Sequence, residues 1–81
     1  MTHIFYGSLE KIENILREII PGVDLQCETL IDSGYIDSLA LINLISELDI
    51  EFDIEIKFDE LEVSNFNSVD AIQALVEKKI H

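Results

Sequence analysis

Apolar residues recur at helical spacing in three segments of the chain, and this periodicity constrains the fold more than any other feature of the sequence. Ser8 is expected to cap a first helix, which Pro21 stops. A second helix is expected to begin at Asp37 or Ser38 and to run to about Phe52. The apolar positions of these two helices are Leu9, Ile12, Ile15, Leu16, Ile19 and Ile20, and Leu41, Leu44, Ile45, Leu48 and Phe52.

The C-terminal part of the chain predicts a third long helix and a short one before it. Ser68 can cap the long helix, Asp70 suits its first turn, and Lys78 and Lys79 suit its C-terminal end. The buried positions of this helix are Val69, Ile72, Leu75, Val76 and Ile80. The stretch "FDELEVSNF" is long enough for one short helical turn. We therefore expect one all-α domain over residues 1–81, a small bundle of three long helices plus one short helix.

Two connecting segments need a separate interpretation. A loop follows the first helix, and its apolar residues Val23, Leu25, Leu30 and Ile31 are expected to hold it to the core. The stretch "IEFDIEIKF", residues 50–58, alternates apolar and charged residues, which is typical of a strand. No other segment alternates in this way, so a strand would lack a partner for its backbone. We expect an extended connector over residues 54–57, with a strand as the alternative.

The charge of the chain narrows the classes of partner. Its 17 acidic residues against 5 Lys and Arg give a net charge of −12, which repels nucleic acids and anionic lipid surfaces and favours partners rich in Lys and Arg. No apolar run approaches the roughly 20 residues of a membrane span. The N-terminus "MTHIFYGSLE" does not resemble a secretory signal, and the single Cys27 suits a reducing compartment. We expect a cytoplasmic monomer.

The residue types that carry out catalysis are sparse. The two histidines, His3 and His81, lie at opposite ends of the chain, and with Cys27 they do not form a zinc-ligand pattern. A catalytic triad built on Ser38 would have to recruit one of these terminal histidines. We therefore expect neither an enzyme nor a metal site.

The acidic stretch "DIEFDIEIKFDE" partly resembles a calcium-binding loop. Counted from Asp49, however, the sharp turn that requires glycine falls on Ile54, and a ligand position falls on Lys57. A charged helix face followed by a connector accounts better for this stretch.

The pair Asp37-Ser38 has two interpretations. Asp is among the best N-caps, so the pair can simply begin a helix. Alternatively, Ser38 is an attachment site, because the free N–H groups and positive dipole of a helix start favour a phosphate. Gly34 allows a tight turn before Ser38, and no basic residue lies near Ser38 in the sequence. Ser38 would then be the substrate of another enzyme.

Residues 30–56 resemble an acyl or peptidyl carrier protein. The stretch "DSGYIDSLALINLISELDIEFDIEI" is similar to that family's acidic loop, Asp-Ser-Leu attachment site, apolar helix and closing "EFDIEI". The flanking helices and the "SVDAI" start of the last helix extend the resemblance over nearly the whole chain. It implies an acyl-carrier-protein-like bundle without catalytic activity of its own.

The resemblance implies a role for each matching residue. Ser38 would carry 4'-phosphopantetheine, whose thiol holds an acyl or aminoacyl group as a thioester for enzymes of a fatty-acid, polyketide, nonribosomal-peptide or D-alanylation-type pathway. Asp37 would help to position the divalent metal and coenzyme A while a phosphopantetheinyl transferase modifies Ser38. The expected docking residues are the apolar Leu39 and Ile42 and the acidic Glu47, Asp49 and Glu51.

Departures from the family pattern bear on the cargo. Fatty-acid-synthesis carriers usually have acids where this chain has Ala40 and Asn43, and the "NFNS" segment with Phe66 looks closer to aminoacyl, peptidyl or D-alanyl carriers. These features favour a carrier of a specialised pathway. The alternative from another class is a small acidic adaptor with the same bundle and no prosthetic group, for which Leu39 and Ile42 are a plain protein-binding patch.

Overall fold

The computed structural model describes residues 3–80, and the side chains of residues 7–80. This part of the chain is helical and contains no strand. Its elements are α1 (His3–Ile19), α2 (Ser38–Phe52), a 3₁₀ turn (Phe58–Glu60), α3 (Val63–Phe66) and α4 (Val69–Lys79). The α-helices α1, α2 and α4 contain 17, 15 and 11 residues. The predicted all-α bundle is confirmed, whereas the single short helix predicted before α4 is divided into the 3₁₀ turn and α3.

Helix α1 packs against both α2 and α4, and its start differs from the prediction. Ser8 was expected to cap this helix, but α1 already begins at His3, so Ser8 lies inside it. The Ser8 side chain is buried, and its hydroxyl donates to Glu77 Oε2 of α4 at 3.3 Å. A serine is tolerated within a helix when its hydroxyl has such a partner. The side chain of His3 and all of His81 lie outside the described residues.

The core forms where the three apolar stripes meet, as their spacing predicts. The buried positions are Ile12, Ile15 and Leu16 of α1, Leu44 and Leu48 of α2, and Val69, Ile72, Leu75 and Val76 of α4. The loop between α1 and α2 adds fully buried Leu30, while Val23, Leu25 and Ile31 pack partly buried against the core. Ile36 and Phe66, which the periodicity does not mark, are also buried.

An extended connector follows α2, as expected, and the strand alternative is wrong. Asp53 ends α2 in the left-handed conformation, with φ of 54°, and its N–H donates to the Asp49 carbonyl. Residues 54–57 then run without regular structure, with Ile56 buried and Ile54 half-buried. Residues 49–52 of the acidic stretch "DIEFDIEIKFDE" thus belong to α2 and residues 54–57 form the connector, as the interpretation of a charged helix face followed by a connector predicts.

None of the helices in residues 3–80 has both the length and the apolar character needed to cross a bilayer.

Candidate functional site

The start of α2 presents an exposed serine beside a capping aspartate. Asp37 has extended backbone, with φ of −92° and ψ of −175°, and its Oδ1 accepts the Ala40 N–H at 2.8 Å. The Asp37 carbonyl accepts the Leu41 N–H at 2.8 Å, which is the first hydrogen bond of the helix. Ser38 is the first helical residue and is exposed. The predicted cap is confirmed, and it leaves the Ser38 side chain facing solvent.

The loop before Asp37 is held in a fixed path. Gly34 adopts φ of +94°, a left-handed conformation that favours glycine, and its N–H donates to the Ile31 carbonyl at 3.0 Å. Ile36 is only 3% exposed, and its N–H donates to the Leu30 carbonyl at 2.9 Å. The chain is therefore anchored in the core immediately before Asp37.

Asn67, between α3 and α4, holds this loop by hydrogen bonds. Its carbonyl accepts the Leu30 N–H at 2.8 Å, and its side-chain Oδ1 accepts the N–H groups of Ile31 at 2.8 Å and of Asp32 at 3.4 Å. Its Nδ2 donates to Asp32 Oδ2 at 3.1 Å. The sequence analysis missed Asn67, because an asparagine next to the helix cap Ser68 is ordinary and does not indicate which distant residues it binds.

The outer face of α2 is apolar. Leu39 and Ile42 are 68% and 60% exposed, as their predicted position on this face requires. Ile50 is 78% exposed and lies on the same face at helical spacing, although it was not among the predicted docking residues. The continuing spacing from Leu39 was the signal that could have identified it. The exposed apolar stripe therefore consists of Leu39 and Ile42 near the start of α2 and Ile50 near its end, with exposed Ser46 between them.

The acidic residues predicted to contact partners differ in what already binds them. Glu47 is exposed, and nothing in residues 7–80 pairs with it. Asp49 Oδ1 accepts the Ile56 N–H at 3.0 Å, so this carboxylate supports the connector. Glu51 Oε2 lies 3.3 Å from Lys11 Nζ of α1 in a half-exposed ion pair. Of the acidic residues, Glu47 presents its charge to solvent most freely.

A shallow groove of about 300 Å³ lies beside the start of α2, where α1 ends. Its lining residues are Ile19, Ile20, Pro21, Tyr35, Asp37, Leu39, Ala40 and Asn43. The lining combines apolar side chains with the Asp37 carboxylate and the Asn43 amide. A flexible group attached at the start of α2 could lie against this groove.

Cys27 is the one thiol of the chain, and its hydrogen bonds make it more acidic. The Thr29 hydroxyl at 3.5 Å, the Thr29 N–H at 3.4 Å and the Ser33 hydroxyl at 3.7 Å together hold the pKa of the Cys27 thiol below its usual range. Thiol reagents should therefore label Cys27 readily. A variant such as Cys27→Ser is needed wherever an added thiol is to be detected on this protein.

The surroundings of the Ser38 hydroxyl show whether this chain could activate it. No side chain of residues 7–80 hydrogen-bonds to the Ser38 hydroxyl, so none is placed to take its proton. Of the N–H groups in the first helical turn, that of Ala40 is capped by Asp37, while those of Ser38 and Leu39 have no acceptor within the helix. This site must be interpreted from its own residues and geometry, because no protein-family model, curated protein or solved structure matches the chain.

Proposed function

We propose that this protein is an acyl or aminoacyl carrier, with 4'-phosphopantetheine attached to Ser38 by a phosphopantetheinyl transferase. The observation that carries the proposal is the exposed Ser38 at the first position of α2, capped by Asp37 and lacking a base of its own. The resemblance of the Asp-Ser-Leu segment and the closing "EFDIEI" to carrier proteins supports the same function. In this interpretation the bundle is a carrier fold of three long helices and one short one.

The start of α2 fits the prosthetic group. A helix N-terminus favours a negatively charged phosphate, and the N–H groups of Ser38 and Leu39 have no acceptor within the helix. During modification the Ser38 oxygen bonds to the phosphorus of the phosphopantetheine half of coenzyme A. Adenosine 3',5'-bisphosphate leaves, and the transferase takes the serine proton. Asp37 holds the first turn of α2 through its bond to the Ala40 N–H, and its carboxylate would help to position the transferase's divalent metal and coenzyme A.

Once attached, the arm supplies a thiol that holds the cargo as a thioester, and the residues of this chain serve recognition. Leu39 and Ile42 are exposed beside Ser38 and supply apolar contacts to a docked enzyme. Glu47 supplies a negative charge for a basic partner surface, while Asp49 and Glu51 contribute to the acidic field around it. The protein is thus a cytoplasmic shuttle that does not catalyse a reaction itself.

A small acidic adaptor is the second candidate function. The exposed stripe of Leu39, Ile42 and Ile50 favours it, because such a stripe can bind a partner whether or not Ser38 is modified. The two functions differ in one observable, the covalent state of Ser38.

The test is the intact mass after incubation with coenzyme A, magnesium and a broad-specificity transferase. We expect one phosphopantetheine per chain for the wild type and none for Ser38→Ala. Ser46→Ala is the matched control, because Ser46 is another exposed serine of α2 and its loss should leave the modification unchanged. If several unrelated transferases all leave the wild-type mass unchanged, the carrier function is wrong and the adaptor replaces it.

A further inference from the structure

We propose that Asn67 is a positioning residue for the modification of Ser38, acting through the loop that leads into α2. This inference rests on the proposed function and assigns a role within it to a residue that does not touch the reacting atoms. It is carried by the hydrogen bonds of Asn67 and by the burial of the residues that link it to Ser38.

Asn67 binds three consecutive residues of the loop at once. Its backbone carbonyl holds the Leu30 N–H, its Oδ1 holds the N–H groups of Ile31 and Asp32, and its Nδ2 holds the Asp32 carboxylate. The side-chain partners are 35 and 36 residues away in the sequence. The backbone carbonyl of Asn67 therefore fixes the position of Leu30, and its side-chain amide fixes the direction in which the loop continues through Ile31 and Asp32.

The fixed segment is connected to Ser38 by a short path. The Leu30 carbonyl accepts the Ile36 N–H at 2.9 Å, and both side chains are buried. Asp37 and Ser38 follow Ile36 directly. Movement of Leu30 would therefore be transmitted through Ile36 to the cap of α2 and to the serine hydroxyl.

The position of Asn67 is itself set by the core. Its neighbours Phe66 and Val69 are buried, and Ser68 caps α4 through the Ala71 N–H at 3.0 Å. Asn67 thus holds the loop in a fixed position relative to α4. Burial of Leu30 and Ile36 alone would keep the loop on the core, but it would not define the orientation in which Ser38 meets the transferase.

This arrangement predicts an effect on the rate of modification that is separate from docking. The apolar stripe of α2 is not part of the Asn67 network, so the affinity for the transferase should be preserved. Misplacement of a reacting group lowers the rate of the chemical step even when the cause is remote. Loss of the Asn67 network should therefore lower kcat of the transferase with little change in KM for the carrier.

The decisive variant is Asn67→Asp, which keeps the size of the side chain and the acceptor oxygen. It replaces the Nδ2 donor with an oxygen facing the Asp32 carboxylate, so that attraction becomes repulsion. We expect kcat/KM to fall about 10- to 100-fold, mostly through kcat. Combining Asn67→Asp with Asp32→Asn restores a donor and an acceptor in the reverse order, and this pair should recover most of the rate.

Two controls separate positioning from loss of structure. Asn65→Asp changes an asparagine of α3, two residues before Asn67, whose Nδ2 donates at 2.8 Å to the Glu60 carbonyl and not to the loop, so its kcat should be that of the wild type. Asp32→Ala removes the exposed carboxylate that accepts from Asn67 Nδ2, and it should lower kcat less than Asn67→Asp does. Circular dichroism confirms that each variant is folded.

The outcomes distinguish this inference from the function on which it rests. If the wild type is modified but Asn67→Asp is modified at the same kcat, the inference is overturned and the carrier function stands. The same holds if Asn65→Asp loses as much rate, or if the paired exchange fails to restore it. A wild type that never accepts phosphopantetheine overturns both.

Discussion

The Asp49 carboxylate accepts the Ile56 N–H at 3.0 Å, joining the last turns of α2 to the buried residue of the connector. Asp49→Ala leaves this partly buried N–H without an acceptor, so we expect a loss of about 1–3 kcal/mol in the free energy of unfolding. Asp49→Asn keeps an acceptor oxygen and should be close to neutral. Urea denaturation of both variants measures the difference, and equal stability of the two would show that the hydrogen bond contributes nothing.

Among the acidic residues proposed for docking, Glu47 is the one whose carboxylate binds no other group in residues 7–80. Glu47→Lys should leave the free energy of unfolding within about 0.5 kcal/mol of the wild type, since surface substitutions rarely cost more. It should slow association with a basic transferase, and the difference from the wild type should shrink as salt is added. Stopped-flow association at several salt concentrations measures this. A rate equal to that of the wild type at low salt would remove Glu47 from the docking surface.

The two faces of α2 should respond differently to truncation. Leu39→Ala and Ile42→Ala remove exposed side chains and should change stability little, while raising KM for the transferase. Leu48→Ala empties a fully buried position and should cost about 2–5 kcal/mol. Thermal melts alongside steady-state kinetics test the division, and three equally destabilised variants would contradict it.

Two substitutions can separate the capping role of Asp37 from its proposed role in the modification of Ser38. Asp37→Asn keeps an oxygen for the Ala40 N–H, so the helix should remain stable, but it removes the charge and should slow modification of Ser38. Asp37→Ala loses the cap as well and should cost about 0.5–2 kcal/mol. Calorimetry and the modification rate report the two roles independently. If Asp37→Asn were modified as fast as the wild type, capping alone would account for Asp37.

Glu60 makes stability depend on pH. The Lys57 N–H at 2.8 Å and the Lys79 ammonium at 2.8 Å both bind its Oε1 and hold the pKa of the Glu60 carboxyl below its ordinary value. Its contribution is therefore fully present above the pKa of the unfolded chain and is lost as the pH falls through the folded pKa.

Comparing the wild type with Glu60→Gln separates the contribution of Glu60 to stability from those of the other acidic residues. The wild type should be the more stable at neutral pH, and the difference should narrow in acid. Glu55→Gln, which removes one negative charge at an exposed position, is the matched control for the change in net charge. Melting temperatures between pH 3 and pH 7 measure both differences. A difference in melting temperature that widened in acid would contradict a lowered pKa of the Glu60 carboxyl.

Local signals made much of the fold predictable. Asp37 and Ser68 both accept the N–H expected of a helix cap, because capping involves residues only a few positions apart. Leu44 and Leu48 are buried as their spacing predicts. The exposure of Leu39 follows from the same spacing, since a helix that buries one face presents the other.

The features of the fold and the site that the sequence did not predict depend on contacts between segments far apart in the chain. Ser8 precedes an apolar stripe as a cap would, but its buried hydroxyl donates to Glu77 of α4, 69 positions away, and the local pattern does not indicate this contact. Asn67 binds Asp32 across 35 residues through side-chain and backbone groups that follow no period. Ile36 lies in the mostly polar stretch of residues 32–38, and no periodicity there indicates that it is buried.

The separation of the two faces of α2 also has an evolutionary consequence. Leu39, Ile42 and Ile50 contribute nothing to the packing that Leu44 and Leu48 provide, so selection for a partner and selection for folding act on different positions of one helix. Substitutions on the outer face can accumulate without bringing the chain closer to unfolding. A duplicated copy of this protein could thus acquire a new partner one residue at a time, and every intermediate would still fold.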